Sequence, residues 1–209
     1  MRAGSAAGSA AARALAACIC LAALAGIGIN LGNLLAAGYT PAAAIWRLAG
    51  FFTILTNAAL AAVYGAAALL GPRLAHPRLF AWATSAIGLV GAVYVLMLRG
   101  AEALAGARAA ANILLHYASP LLALLHWLLF VRKGRLGWRD PLLWTLFPLA
   151  YLPYAIGRGM AEGRYVYPFI DVSQLGAAGV AANCALIGAG FLLAGEALVL
   201  LDRLLALRR

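Results

Sequence analysis

Apolar runs of about 20 residues recur along the whole chain, and this feature restricts its fold more than any other. Inside a bilayer every main-chain polar group needs an internal partner, so such runs fold as membrane-spanning helices. Charged residues make up only 11% of the 209-residue chain, against about a quarter in soluble domains. We therefore predict an all-α, polytopic membrane protein without a separate soluble domain.

The positions of the runs predict one bundle of six membrane-spanning helices. Residues 1–13, rich in alanine, serine and glycine, are expected to form a flexible tail, and residues 202–209 a basic tail. The region between them, residues 14–201, is then a single transmembrane domain. Its spans are predicted at residues 14–35, 48–70, 79–98, 109–131, 142–157 and 175–201.

Lysine and arginine are distributed unequally over the segments that join these spans. Six spans place both termini on one side of the membrane, and the chain has 16 Lys and Arg. The opposite side receives five of them: Arg47, Arg99, Arg108, Arg158 and Arg164. Because positive charge favours the cytoplasmic side, we predict that both termini are cytoplasmic. We expect the membrane to be a bacterial inner membrane. The positive charges lie in short segments and tails between the apolar runs, where they determine topology, so no nucleic-acid partner is expected.

The fourth predicted span carries a stripe of polar residues. Its members, at steps of four, four and three, are Arg108, Asn112, His116 and Ser119. This spacing places them on one face of a helix. A polar face within hydrocarbon is expensive, so it either lines a functional cavity or makes hydrogen bonds between helices. Pro120 should kink the helix and release a carbonyl near His116.

Three polar residues from different spans are predicted to share one depth in the outer leaflet. Thr53, His116 and Asn183 lie five, seven and eight residues into the second, fourth and sixth spans, which all run inward. At about 1.5 Å per residue their depths differ by only a few ångströms. Asn30 and Tyr94 lie near the ends of the first and third spans on the same side. We expect these residues to border one pocket.

A hydroxyl and an imidazole at one depth can act as a nucleophile and a general base. Thr53 would attack a carbonyl while His116 takes its proton. Alternatively, the Thr53 hydroxyl bonds to the carbonyl four residues back, as threonines in membrane helices often do. Candidate side-chain donors to an oxyanion or substrate are Asn57, Asn112 and Asn183. Neither a metal nor a cofactor is expected.

Four short motifs occur in an order that matches a known family. They are Phe51-Phe52-Thr53, His116 with Pro120, Val166-Tyr167-Pro168-Phe169-Ile170-Asp171, and Gly195-Glu196. Over essentially the whole chain this order resembles the androgen-induced and androgen-dependent family of six-span membrane proteins, of which this chain would be a bacterial-type member.

The resemblance implies a function. Members of that family are described as threonine hydrolases of fatty acid esters of hydroxy fatty acids, and the matching positions here are Thr53 and His116. Tyr167 and Asp171, in the shared outer segment, are expected at the pocket rim, where Tyr167 is either an interfacial aromatic or part of a lid. The expected partner is a lipid or lipid-like ester. The alternative is a non-catalytic protein that binds or carries a lipid or small amphiphile in the same cavity.

Overall fold

The computed structural model describes residues 3–71, 76–100 and 104–207, and within these ranges the chain is helical and contains no strand. Two short π-helical segments, Tyr94–Leu98 and Leu114–Ala118, directly follow α-helices. A 3₁₀ turn, Pro168–Ile170, precedes the last helix. The helices are α1 (Ala3–Ala36), α2 (Pro41–Ala49), α3 (Phe52–Leu70), α4 (Pro77–Val93), α5 (Gly106–Ile113), α6 (Ser119–Phe130), α7 (Asp140–Trp144), α8 (Leu146–Glu162) and α9 (Val172–Ala206).

Five helical stretches in the described part of the chain are long and apolar enough to cross a membrane. They are Ser9–Ala36, Phe52–Leu70, Pro77–Leu98, Gly106–Phe130 and Val172–Ala206. Large apolar side chains point away from the bundle, as in Leu69, Leu186 and Leu193, which are 79%, 72% and 72% exposed. Such outward surfaces require a hydrocarbon solvent. The fold is therefore that of an integral, multi-pass helical membrane protein.

The predicted fifth span, residues 142–157, is divided in the structure. The chain breaks at Thr145 between α7 and α8, and neither helix is among the five stretches that are long and apolar enough. Pro148 has no N–H to continue the helix from α7, and the Thr145 hydroxyl donates to the Leu142 carbonyl at 2.6 Å. Proline near the first turn of a helix is tolerated, so α8 starts anew.

The predicted terminal tails also differ from the structure. α1 is already helical from Ala3, because an alanine-rich segment has a high helix propensity. Arg13 donates from Nε to the Ala68 carbonyl at 2.8 Å, at the C-terminal end of α3. α9 continues through the start of the predicted basic tail to Ala206, and Gly176 interrupts its first turns with φ 67°. Arg2, Arg208 and Arg209 lie outside the described residues.

The second predicted span starts four residues later than expected, at Phe52. Thr40 and Pro41 begin a separate helix, α2, in which the Thr40 hydroxyl accepts from the Ala43 N–H at 3.3 Å. The chain then turns at Gly50 and Phe51 before α3. This break makes Thr53 the second residue of its helix.

α1 and α4 both pack against the helical segment that carries His116. At Gly26 of α1, an added Cβ would lie 2.6 Å from the Leu115 side chain. At Gly91 of α4, it would lie 3.1 Å from the His116 carbonyl. Gly26 thus leaves room for the Leu115 side chain, and Gly91 allows α4 to approach the main chain at His116. The segment around His116 is therefore held rigidly between its neighbours.

Candidate functional site

Thr53 and His116 are joined by a hydrogen bond. Thr53 Oγ1 lies 3.3 Å from His116 Nε2, and both side chains are half-buried. A threonine deep in a helix usually donates to the carbonyl four residues back. Four residues before Thr53 is Ala49, which belongs to the preceding helix, so no helical turn is available and the hydroxyl is free to bond to the imidazole.

The other ring nitrogen of His116 determines which nitrogen carries the proton. Nδ1 lies 3.2 Å from the main-chain carbonyl oxygen of Asn112. A carbonyl can only accept, so Nδ1 donates and carries the hydrogen in the neutral ring. Nε2 then presents its lone pair to the Thr53 hydroxyl. This is the tautomer that a general base acting on Thr53 requires.

Tyr94 and Asn112 fix the plane of the His116 ring. The Tyr94 ring is stacked on the imidazole with 4.2 Å between the ring centroids. The Asn112 side-chain amide donates to the Tyr94 hydroxyl at 2.8 Å, which holds the tyrosine in place. Asn112, predicted as a possible oxyanion donor, thus has its amide directed at Tyr94. Tyr94, predicted at the pocket rim, instead lies over the imidazole.

Pro120 changes the hydrogen-bond register of the helix around His116. The Ser119 N–H donates to the Leu114 carbonyl, five residues back, which defines the π-helical segment. Pro120 has no N–H, so the Leu115 carbonyl has no donor in either the α or the π register. The predicted kink near His116 is therefore a π segment that frees a carbonyl.

Asn57 occupies the position opposite that carbonyl. Its side-chain Nδ2 donates to the Leu115 carbonyl at 3.3 Å and to the Thr53 carbonyl at 2.9 Å. The residue is fully buried, and its Oδ1 has no hydrogen-bond partner among the described residues. In the structure its amide links the helix of Thr53 to the segment of His116.

Two tyrosines of α8 fix the turn from which α3 starts. The Tyr151 hydroxyl donates to the Gly50 carbonyl at 2.7 Å, and the Tyr154 hydroxyl to the Ala49 carbonyl at 3.1 Å. These carbonyls lie where α2 ends, so they lack helical donors. Sequence reasoning did not identify this function, because both tyrosines resemble interfacial aromatics.

An apolar cavity of about 190 Å³ has Thr53 in its wall. Its walls are mainly aliphatic and aromatic side chains from α4, α8 and α9, for example Val93, Leu152 and Phe191. The polar side chains in the wall are those of Thr53, Thr145, Tyr151 and Tyr167. His116 bonds to Thr53 but does not line the cavity, so a ligand in the cavity would meet the threonine rather than the imidazole.

The remaining predicted residues lie around this cavity rather than in its wall. Asn183 donates to the Phe169 carbonyl at 3.0 Å, in the turn that carries Tyr167. Asp171 caps α9 by accepting from the Ser173 and Gln174 N–H groups at 2.9 and 3.2 Å. Asn30 is half-buried on α1, which packs against the His116 segment. Of the four residues predicted at the pocket rim, Asn30, Tyr94, Tyr167 and Asp171, Tyr167 is the one that lines the cavity.

Fold and site together define a multi-pass membrane protein with a hydroxyl–imidazole pair at the edge of an apolar cavity. Comparison of the chain with protein-family models, with curated proteins and with solved structures finds no match.

Proposed function

We propose that this protein is an intramembrane hydrolase of lipid esters, with Thr53 as the nucleophile and His116 as the general base. The observation that carries the proposal is the 3.3 Å contact between Thr53 Oγ1 and His116 Nε2 at the edge of an apolar cavity. Hydroxyl and base lie close to hydrogen-bond distance, and the space beside the hydroxyl suits an acyl chain.

The reaction follows from the orientation of the two groups. Nε2 takes the hydroxyl proton as Oγ1 attacks the ester carbonyl carbon. Collapse of the tetrahedral intermediate breaks the bond to the alcohol oxygen, which receives the proton from His116. Water then attacks the acyl-threonine ester, His116 takes a proton from that water, and the proton returns to Thr53 as the fatty acid leaves.

The start of α3 supports the developing negative charge. The positive end of the helix dipole, at the first turn, lies beside Thr53. Phe51, at the N-cap, provides no side-chain hydrogen bond to that turn. The positive end of the dipole favours an oxyanion next to the nucleophile.

The substrate class rests on the motif resemblance to the androgen-induced family. By that resemblance the substrates are fatty acid esters of hydroxy fatty acids or related lipid esters. The lining of the cavity supports an acyl chain over a polar substrate, since aliphatic and aromatic side chains form most of its wall.

For the topology, we propose six passes with both termini in the cytoplasm of a bacterium. α8 would be the further membrane-embedded helix, because it forms a wall of the cavity together with α4 and α9. Its exposed side carries Leu146 and Leu149, which are 60% and 56% exposed. The charge asymmetry supports the orientation.

A non-catalytic lipid carrier is the second candidate. The position of His116 outside the cavity wall favours it, because a ligand could fill the cavity without touching the imidazole. A carrier would bind lipid and show no turnover.

Covalent labelling of Thr53 separates the two functions. Purified protein in detergent is incubated with an alkyl fluorophosphonate and, separately, with a fatty acid aryl ester. We expect labelling and turnover in the wild type, loss of both in Thr53→Ala, and retention in Thr53→Ser, which keeps the hydroxyl. Thr56→Ala is the matched control, since Thr56 is buried one turn further along the same helix. Equal turnover by Thr53→Ala would refute the nucleophile, and lipid binding without turnover in the wild type would favour the carrier.

A further inference from the structure

The candidate donors for an oxyanion in this site are already bonded elsewhere. The amide nitrogens of Asn57, Asn112 and Asn183 donate to main-chain carbonyls or to the Tyr94 hydroxyl. In the cavity wall, the hydroxyls of Thr145 and Tyr151 also donate to carbonyls. Apart from Thr53 itself, the remaining hydroxyl in the wall is that of Tyr167.

Tyr167 points its hydroxyl at the start of α3. Hydrogen-bonding neighbours of the phenol are the Thr53 and Tyr151 side chains and the main-chain N–H groups of Thr53 and Phe52, which donate to the phenol oxygen. Phe51 contributes no side-chain cap to this helix end. The first N–H groups of α3 therefore hold the phenol oxygen beside the Thr53 hydroxyl.

The Tyr167 ring is held firmly in this orientation. It is 7% exposed, lies parallel to Phe169 with 5.0 Å between centroids, and packs edge-on against Phe51 at 6.0 Å. Asn183 secures the same turn through the Phe169 carbonyl. A donor fixed in this way does not have to reorganise as charge develops, which is the requirement for stabilising a transition state.

The direction of substrate approach places the ester carbonyl next to this phenol. His116 bonds to Thr53 but is not in the cavity wall, whereas Tyr167 and Thr53 both belong to the wall. The reacting carbon must come within about 3–3.5 Å of Thr53 Oγ1 from the cavity side. Its carbonyl oxygen then lies next to the Tyr167 phenol, which lines the same cavity.

We propose that Tyr167 is a further catalytic residue, whose hydroxyl donates a hydrogen bond to the ester carbonyl oxygen and to the oxyanion that forms from it. This inference rests on the proposed function. Burial raises the pKa of the Tyr167 phenol, so the hydroxyl stays protonated and able to donate. No proton leaves the phenol during the reaction.

The test removes only the hydroxyl, in Tyr167→Phe, and keeps the ring packing. We expect kcat on a fatty acid aryl ester to fall by about 10²- to 10³-fold, the usual effect of losing one oxyanion donor, with KM nearly unchanged. The melting temperature should fall as well, because the first N–H groups of α3 lose the phenol oxygen as an acceptor. Tyr165→Phe is the matched control, because Tyr165 lies two residues away and packs against Gly159 outside the cavity.

A trifluoromethyl ketone with the same acyl chain provides a readout that a structural role would not change. Its adduct with the Thr53 hydroxyl carries an oxyanion in the place of the tetrahedral intermediate. We expect its inhibition constant in Tyr167→Phe to rise by the same factor by which kcat/KM falls. Normal activity and inhibition in Tyr167→Phe, with Thr53→Ala inactive, would overturn this inference alone. Full activity in Thr53→Ala, or no esterase activity in the wild type, would overturn the proposed function and the inference with it.

Discussion

The side-chain amide of Asn57 donates to the main-chain carbonyl of Leu115 at 3.3 Å and so joins the helix of Thr53 to the π segment of His116. The same nitrogen also donates to the Thr53 carbonyl at 2.9 Å. A single amide therefore sets the separation between the two helices that hold the hydroxyl and the imidazole. The alignment of the pair depends on this link as well as on their own rotamers.

Replacing Asn57 by leucine should destabilise the protein and reduce its activity. The Leu115 carbonyl would lose its donor inside the bundle, at a cost of about 1–3 kcal/mol. We expect a lower melting temperature in detergent and a lower kcat per folded molecule, because the helices can separate at the site. Thermal unfolding and esterase turnover measure the two effects.

Thr56→Val is the control for the Asn57 substitution. Thr56 is also buried, and its hydroxyl has no hydrogen-bond partner among the described residues, so this change removes no link. It should be nearly neutral in both measurements. If Asn57→Leu were as stable and as active as Thr56→Val, the link through Asn57 would not hold the site together.

His116→Ala should lower the esterase rate by about 10²- to 10⁴-fold, the usual contribution of a positioned proton-transfer group. The fold should persist, because the half-buried ring lies next to the cavity rather than in the packed core. Turnover and circular dichroism of the purified variant test both statements. An unchanged rate would exclude His116 as the base.

His126→Ala is the contrasting histidine variant. His126 is 2% exposed and packs between Tyr64 and Phe80, with ring centroids at 5.0 and 5.1 Å. Its loss should reduce the melting temperature through the cavity left behind, while the rate per folded molecule remains close to that of the wild type. A catalytic defect larger than that of His116→Ala would reverse the roles of the two histidines.

Asp171 should make the stability of the N-terminal end of α9 depend on pH. The Ser173 hydroxyl, and then the N–H groups at the start of α9, hold the pKa of the Asp171 carboxyl below its usual value. The folded state therefore binds this proton less readily than the unfolded state. The stabilisation is complete above the unfolded pKa of about 3.9 and is lost as the pH falls through the lower folded value.

Asp171→Asn isolates the charge, because asparagine can still cap a helix. We expect the variant to melt at a lower temperature than the wild type at pH 7, with the difference disappearing in acid. Melting curves from pH 7 to pH 3 would show this convergence. A difference that stayed constant over this range would argue against a contribution from the ionised carboxylate.

The proposed orientation can be tested with reporters that fluoresce only in the cytoplasm. Fusions at either terminus should be fluorescent, and one inserted after Gly163, in the turn that follows α8, should not be. The reason is the smaller number of positive charges on the side of Arg158 and Arg164. A fluorescent insertion at Gly163 would place this turn in the cytoplasm and reject the topology.

The helical membrane architecture could be predicted from the sequence, because apolar runs of span length leave the main chain no alternative in hydrocarbon. The positions of these runs also predicted one depth for Thr53 and His116. Depth and helix face are local properties, determined by the count of residues from the start of a span. For this reason the sequence could suggest the pair before any contact was known.

The tertiary structure decided which partner each polar group takes. The sequence marked Asn57, Asn112 and Asn183 equally as donors, but their acceptors lie on other segments and depend on how the helices rotate and pack. The π register at Leu115 creates an acceptor that exists only because Ser119 bonds one residue further back. Likewise, Tyr167 reaches Thr53 only through the fold of the turn before α9. Local sequence determines the faces of helices, whereas hydrogen-bond partners between distant segments are set by packing.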